Sequence, residues 1–390
     1  MKAIKLIQQN MIIVCFTVLC SCSGEFGKVA AVLSDGIVEQ SKTDIHEPPQ
    51  TVTDYVATRS AGGIHDFYSE GDYWWPNPEN PNGPYIRRDG ETNPENFVAH
   101  RHAMIRFSKI VGNFTSLYLL TGSEEYAKEV ERHAMAWFVN PQTLMNPSLL
   151  YAQAIKGVVT GRGIGIIDTL HLVEVAQSLL RLREAGVLSD ECYEGTCKWF
   201  SEYLTWMNTH PYGVSEMNTK NNHATCWAVQ AASFAKYVGN KEVMDSCKDM
   251  FKNRFMVSQM AADGSFPQEL QRTKPFGYSL FNLDAMAALC QILSTPDDDL
   301  WNYTTPDGKN MRKALDWILP YIVDKTTWPY DKDVMYWDEW PVAQPAMIFG
   351  WLAFHDDRYL NAWLPFSHFP TNEEVVRNLP LRNPLIWMDR

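Results

Sequence analysis

Val238-Gly239-Asn240-Lys241-Glu242 decides how the chain folds. A glycine closes one apolar-periodic run, an Asn stands in the capping position, and an acid falls in the first turn of the next run. One helix therefore stops and another starts within a few residues. Thr121-Gly122-Ser123-Glu124-Glu125 repeats the arrangement, and Ala185-Gly186-Val187-Leu188-Ser189-Asp190 is a looser version. Connections this short join antiparallel neighbours. Working outward from these joints, apolar periodicity predicts helices at 97–120, 123–139, 166–185, 189–208, 223–238, 241–259, 278–293, 309–323 and 342–354. Period-two alternation between turn signals is scarce. The expected fold is all-α, with helical hairpins arranged round a toroid whose inner-helix ends and loops line a groove.

Two regions fall outside this pattern. Residues 66–96 are turn-rich and aromatic, with Tyr73-Trp74-Trp75-Pro76-Asn77-Pro78 and Asn80-Pro81-Asn82-Gly83-Pro84-Tyr85. Irregular segments of that length are uncommon unless functional. Residues 23–50 show no sustained apolar period and read as a tether. Before them, Lys2 and Lys5 precede an apolar run from Met11 to Leu19, the layout of an export signal too short to remain as a spanning helix. Leu19-Cys20-Ser21-Cys22 resembles the bacterial lipoprotein box, which would make Cys22 the lipidated first residue of a membrane-anchored protein in the periplasm or at the outer membrane surface. Ordinary cleavage nearby would instead release a soluble product. The expected organisation is a signal peptide over 1–21, a tether and N-terminal arm over 22–65, and one body over 66–390.

Composition narrows the partners. The chain carries 34 Lys and Arg against 46 Asp and Glu, a net charge of −12, and loss of 1–21 removes two lysines and no acid to leave −14. Such a field does not attract nucleic acid or anionic lipid. Fourteen Trp tilt the expectation toward a carbohydrate ligand, because sugar-binding clefts use flat aromatic faces. Of eight Cys, Cys15, Cys20 and Cys22 belong to the export signal and its lipoprotein box, and the remaining five are expected as free thiols. No Cys or His spacing matches a zinc site.

The chemistry-bearing stretches are Thr219-Lys220-Asn221-Asn222-His223-Ala224-Thr225 and Pro267-Gln268-Glu269-Leu270-Gln271-Arg272-Thr273-Lys274-Pro275-Phe276-Gly277-Tyr278. Each abuts a predicted helix start. Together they supply an amide, an imidazole, a guanidinium and a phenol, able to neutralise a carboxylate, remove the acidic proton beside it and protonate a leaving oxygen. Gly161-Arg162-Gly163-Ile164-Gly165 superficially suggests a phosphate loop, but it lacks the Lys-Ser/Thr ending and reads better as a loop whose Arg162 contacts a substrate carboxylate. Tyr73, Trp74 and Trp75 are candidates for stacking on sugar rings or for packing the long segment down. Arg87 and Arg88 join Arg162, Arg272 and His223 as candidates for a positive groove. The second aromatic cluster, around Trp328 and Tyr336-Trp337-Asp338-Glu339-Trp340, carries acids that repel a polyanion and reads as structure.

Asn221-Asn222-His223, Glu269-Leu270-Gln271-Arg272-Thr273 and Gly277-Tyr278-Ser279-Leu280-Phe281-Asn282 resemble the alginate lyase superfamily of polysaccharide lyases. Ser69-Glu70-Gly71-Asp72-Tyr73-Trp74-Trp75-Pro76 and Gly83-Pro84-Tyr85-Ile86-Arg87-Arg88-Asp89-Gly90 are similar to a Bacteroidetes-type branch, of the polysaccharide lyase family 38 kind. The resemblance implies an (α/α) toroid of about six to seven hairpins. It also implies metal-independent β-elimination on β-1,4-linked uronans without a cofactor, at a centre formed here by Asn222, His223, Arg272 and Tyr278. Two rival readings stand beside it. A helical-toroid glycoside hydrolase would need two carboxylic acids flanking one bond, drawn from Asp263, Glu269 and Asp284. A glycan-binding lipoprotein would use only the aromatic clusters.

Overall fold

The structure, a computed structural model, describes residues 24–389. The segment expected to be an export signal, and Cys22, lie outside the described residues. The helices run in order as α1 (Gly24–Asp44), α2 (Ala99–Thr121), α3 (Glu124–Phe138), α4 (Leu172–Glu184), α5 (Asp190–Thr209), α6 (Pro211–Met217), α7 (Asn222–Val238), α8 (Lys241–Met250), α9 (Pro275–Leu293), α10 (Met311–Val323), α11 (Pro345–Phe354), α12 (Asp357–Trp363) and α13 (Glu373–Arg377).

Helices α2, α4, α7, α9 and α11 form an inner row in which each packs on the next. α7, α9 and α11 are apolar on nearly every face: α7 buries Ala224, Trp227, Ala228, Ala231, Phe234 and Ala235, its small residues letting neighbouring backbones close in. The outer helices bury one stripe each, as in α5 with Cys192, Thr196, Trp199, Phe200, Tyr203 and Met207. α3 covers α2, α8 covers α7, α10 covers α9 and α12 covers α11. This is the toroid of hairpins expected from the Gly-cap-acid joints. Gly122 and Gly239 take the left-handed conformation expected at those helix ends, with φ of 72° and 75°.

The tether expected at residues 23–50 is instead largely α1, packed on α2. Phe26, Val29, Ala30, Leu33 and Ile37 form its buried stripe. Ser34-Asp35-Gly36 dilutes that period, which is why it escapes a window average. Gly36 is needed for tertiary reasons, since a Cβ there would collide with the Phe369 ring. At its other flank α1 reaches the last inner helix: Glu25 bonds His355 at 2.9 Å and Lys28 lies 5.4 Å over the Trp351 ring. The supposed tether is thus the element that closes the ring between α2 and α11.

Helix boundaries differ from expectation where long-range caps act. α9 begins at Pro275 rather than 278, because Pro fits the first helical position and the Asp333 carboxylate accepts from the N–H groups of Phe276 and Gly277, both at 2.9 Å. The run predicted over 241–259 contains a π-helical turn, Phe251–Phe255, that buries both of its terminal Phe rings. Extended pieces are few: β1 (Tyr68–Glu70) pairs in parallel with β4 (Tyr151–Ala154), and β2 (Trp74–Trp75) antiparallel with β3 (Ile86–Arg87). Cys192, Cys197, Cys226, Cys247 and Cys290 are free thiols, as expected. Trp328 packs against Phe276 and Tyr321 with ring centroids 5.0 and 5.2 Å apart, the structural role read for its cluster.

If α1 belongs to the body, Leu33→Ala should destabilise the protein by about 2–5 kcal/mol, the range for truncating a buried leucine. Chemical denaturation checks this; an unchanged midpoint would return α1 to the status of a tether.

Candidate active site

The inner helices α7 and α9 bring their N-termini to one end of the toroid, and the quartet comes with them. Asn222 is the first residue of α7. The Glu269 carboxylate, from the helical turn Pro267–Leu270, accepts from the Asn222 backbone N–H at 2.8 Å and from its Nδ2 at 2.6 Å. A carboxylate at a helix N-terminus satisfies orphan N–H groups and is favoured by the helix dipole. One Asn222 amide hydrogen is thereby fixed and the other is left for the cleft.

His223, the next residue, bonds through Nδ1 to Oε1 of Glu216 on α6 at 2.6 Å. Glu216 is fully buried. Burial alone would lower the imidazole's pKa, but the Glu216 charge and hydrogen bond, with Glu269 behind them, outweigh it and raise the value. His223 is therefore held toward its cationic form with Nε2 left over.

Tyr278 lies in the first turns of α9. Its Oη is 2.7 Å from Oη of Tyr73 and 3.4 Å from Nη2 of Arg272, whose guanidinium lies 4.4 Å from the phenol ring centroid. Asp89 holds that guanidinium, accepting at 3.1 Å from Nη2. Burial raises the Tyr278 phenol well above its usual value and Tyr73 adds to the rise, while Arg272 pulls the other way. Burial and Tyr73 thus outweigh the pull toward the phenolate that was expected of Arg272. Lys274 sits beneath the pair, 5.0 Å from the Tyr73 ring and 5.5 Å from the Tyr278 ring, its ammonium bonded to Glu374 at 2.6 Å.

A cleft of about 230 Å³ gathers Asn222, His223, Arg272, Tyr278, Tyr73, Trp74, Arg87 and Arg162. The strand register explains which aromatics face it. Trp74 opposes Arg87 and Trp75 opposes Ile86, and successive side chains on a strand point to opposite faces. Trp75 and Arg88 lie on the outer side: Arg88 stacks 5.0 Å over the Trp75 ring, whose Nε1 donates to the Glu91 carbonyl. Both therefore fall away from the expected groove contacts.

Arg162 donates through Nε and Nη2 to the carbonyl and side chain of Gln153, both at 3.0 Å, and lies 5.8 Å over Trp74. Burial lowers its pKa to about 10, so it remains a cation at neutral pH. The glycines around it are packing devices. A Cβ at Gly161 or Gly165 would strike the β4 region at Leu150 or Ala152, and one at Gly163 would lie 2.7 Å from the Tyr212 carbonyl.

Sequence reasoning missed Asp72, Gln153, Arg377 and Asn378, which also line the cleft, and the buried Glu216 behind it. Asp72 and Tyr73 fell within a quoted block, but nothing local marks Glu216 or Arg377 as neighbours of His223 or Tyr73.

The three acids of the hydrolase reading serve elsewhere. Glu269 caps α7. Asp284 is buried, accepting from Gln344 Nε2 at 2.7 Å and the Ala346 N–H at 2.9 Å, and burial pushes its carboxyl up to about 8. Asp263 accepts from the N–H and hydroxyl of Ser265. None of them lines the cleft. Among the described residues, no group of three or more His, Cys, Asp or Glu is placed to hold a metal ion.

Among the described residues the cleft gathers an amide, an imidazole, a guanidinium and a phenol with no facing pair of carboxylic acids, in a helical toroid, and that combination fits the class of polysaccharide lyases. The sequence model of the alginate lyase family matches residues 51–328, and the chain belongs to that family. A crystal structure of an alginate lyase from Bacteroides ovatus is similar at 30% identity and TM-score 0.79, over 93% of this chain and 97% of that one. Alginate lyase A1-III from Sphingomonas species A1 shares the fold at 13% identity and TM-score 0.54, over 88% and 89% of the two chains. A histidine-to-alanine variant of alginate lyase A1-III complexed with a tetrasaccharide gives 13% identity and TM-score 0.56, over 89% of each chain. No curated protein sequence matches the chain.

Removing the Glu216 charge should lower the His223 pKa. The sign follows from linkage: a folded-state value raised above the unfolded one contributes stability fully present below about pH 6.5 and lost as pH rises through the folded value. In Glu216→Gln the His223 titration midpoint, followed by nuclear magnetic resonance, should move to lower pH and the stability gain on the acid side should shrink. An unmoved midpoint would show that Glu216 does not set the imidazolium.

Proposed function

We propose that the cleft cleaves β-1,4-linked uronans of the alginate type by β-elimination, with Tyr278 moving both protons. The C5 proton of a uronate is weakly acidic while the adjacent carboxylate is charged, so the site must first offset that charge. His223, Arg272 and the free amide hydrogen of Asn222 are the groups for this. The Tyr278 phenolate, stabilised by Arg272, takes the C5 proton and an enediolate forms. The C4–O bond then breaks, its electron pair leaves with the oxygen, and Tyr278 returns the proton to that oxygen. The products are a 4,5-unsaturated uronate and a new chain end, with the phenolate restored.

The observation that carries this assignment is the pairing of roles. His223 is bound to a buried carboxylate that favours the cation, which suits neutralisation and opposes a role as base. Tyr278 alone of the quartet then remains to shuttle protons. In mannuronate and glucuronate the C5 proton and C4 oxygen lie on one side of the ring, where one phenol reaches both. Guluronate places them on opposite faces and would require a neutral His223 as base. The preferred substrates are therefore mannuronan or glucuronan.

The product's carbon–carbon double bond absorbs in the ultraviolet, which hydrolysis products do not. Tyr278→Phe should lower turnover on the best uronan by ~10²–10⁴-fold, the span for losing a general acid–base, while substrate binding survives. His223→Ala should retain the preference for mannuronate or glucuronate over guluronate. Near-normal elimination by folded Tyr278→Phe protein would overturn the assignment.

We further propose that the protein is an exported lipoprotein anchored through Cys22, on the support of Leu19-Cys20-Ser21-Cys22. Because the packed helix α1 begins at Gly24, such an anchor would hold the toroid close to the bilayer. Cys22→Ala should move the protein to the soluble fraction or block its processing; unchanged membrane fractionation would refute the anchor.

A further inference from the structure

A second cavity, of about 370 Å³, lies beside the catalytic cleft and is larger than it. The short helix α13 divides the two: Arg377 and Asn378 face the cleft, whereas Glu373 and Val376 line the second cavity. One wall is α2, where His102, Arg106 and Lys109 follow at helical spacing and share a face. The opposite wall is the C-terminal segment with His368, Phe369 and Arg382.

Cations dominate this lining. Lys109 is paired with Asp44 at 2.8 Å, but Arg106 has no hydrogen bond or ion pair among the described residues. Arg382 is braced through Nη2 by Ser108 Oγ at 2.6 Å and the Ile105 carbonyl at 3.2 Å, while its Nε is buried with no partner among the described residues. His368 donates through Nε2 to the Leu364 carbonyl at 3.4 Å. Glu373, the acid on the lining, is exposed at 84% and stands 3.8 Å from His102. Buried donors normally have acceptors, so the unpartnered Nε of Arg382 on the same lining as the Arg106 guanidinium, which has no partner among the described residues, marks a place for an oxygen-rich anion. Phe369 adds an aromatic surface of the kind on which sugar rings pack.

We propose that this cavity is a secondary binding site for a uronan carboxylate, holding a stretch of the same polymer outside the catalytic cleft. The proposal rests on the uronan reading of the protein. A helix is about 10–12 Å across, so a chain leaving the cleft over α13 reaches the second cavity within a few sugar residues. A phosphate or an anionic lipid headgroup shares the same anionic chemistry. Position favours the polymer: Gln40, on the cavity wall, lies about 24 Å along α1 from the end at which a lipid anchor would sit, at 1.5 Å per residue.

Arg106 is the residue to change, because it is half-buried and has no hydrogen-bond or ion-pair partner among the described residues, so its replacement breaks no described contact of that kind. With Arg106→Glu, KM for polymeric alginate should rise on the order of tenfold, the worth of one charge-assisted hydrogen bond. Turnover, and KM for a uronate tetrasaccharide confined to the cleft, should stay as in the wild type, and Arg106→Lys should recover most of the loss. An unchanged polymer KM, or equal losses on polymer and tetrasaccharide, would overturn the secondary site while leaving the lyase reading standing. Should the wild type eliminate no uronan, direct titration with polymeric alginate still decides: affinity lost in Arg106→Glu supports the cavity, and affinity independent of Arg106 removes it. Arg106-dependent binding of inorganic phosphate or phosphatidylglycerol vesicles, without such binding of alginate, would also overturn the proposal.

Discussion

Asp72 is the fixed point on which the working end of this molecule depends. Its carboxylate is buried, ion-paired at 2.7 Å with Arg101 of α2 and at 2.7 Å with Arg377 of α13. Arg101 also pairs with Asp168 at 3.4 Å, and Arg377 with Glu374, which in turn holds Lys274. Burial would raise the Asp72 carboxyl, but the two guanidinium groups outweigh it and hold it at about 2. Breaking such a buried pair costs about 3–5 kcal/mol because a charge is left without compensation. One network therefore ties the long N-terminal segment, an inner helix, the loop before α4 and the C-terminal helix into a single rigid floor. Tyr73, the next residue, is delivered by that floor to within 2.7 Å of Tyr278.

The same economy of charge explains how an acidic protein accommodates a polyanion. Every acid close to the cleft is already engaged: Glu216 with His223, Glu269 with the start of α7, Asp89 with Arg272 and Arg87, Asp72 with two arginines. What remains presented to a ligand is cationic. At physiological ionic strength the Debye length is about 8 Å, so the outer negative charge is screened over distances at which the cleft acts directly. Net charge thus describes the far field and says little about the site.

Legibility in the sequence followed the range of the interactions involved. The hairpin joints were readable because capping is local: Gly239 and Asn240 act within one turn of themselves. The quartet was readable because Asn222-His223 and Arg272 to Tyr278 are short strings beside helix starts. α1 was missed because its stripe, Phe26 to Ile37, is interrupted by polar and small residues that make sense only against Phe369. Trp75 and Arg88 stand among the groove candidates, Trp75 with packing as its alternative, although the alternation of a strand puts Trp74 and Trp75 on opposite sides; a two-residue strand is too short to be read from the sequence.

By itself, then, the sequence determined the all-α class, the hairpin joints and the four groups that meet at one end of the toroid. Each of these depends on residues within a turn or two of one another, or on side-chain chemistry that needs no partner to be recognised. Only the tertiary structure decided what those groups are. It paired His223 with Glu216 from α6, made Glu269 a cap, set Tyr73 against Tyr278 across 205 residues of chain, and closed the ring with α1. The physical reason is that protonation state and burial belong to the neighbours a side chain acquires on folding, and those neighbours are remote in the chain.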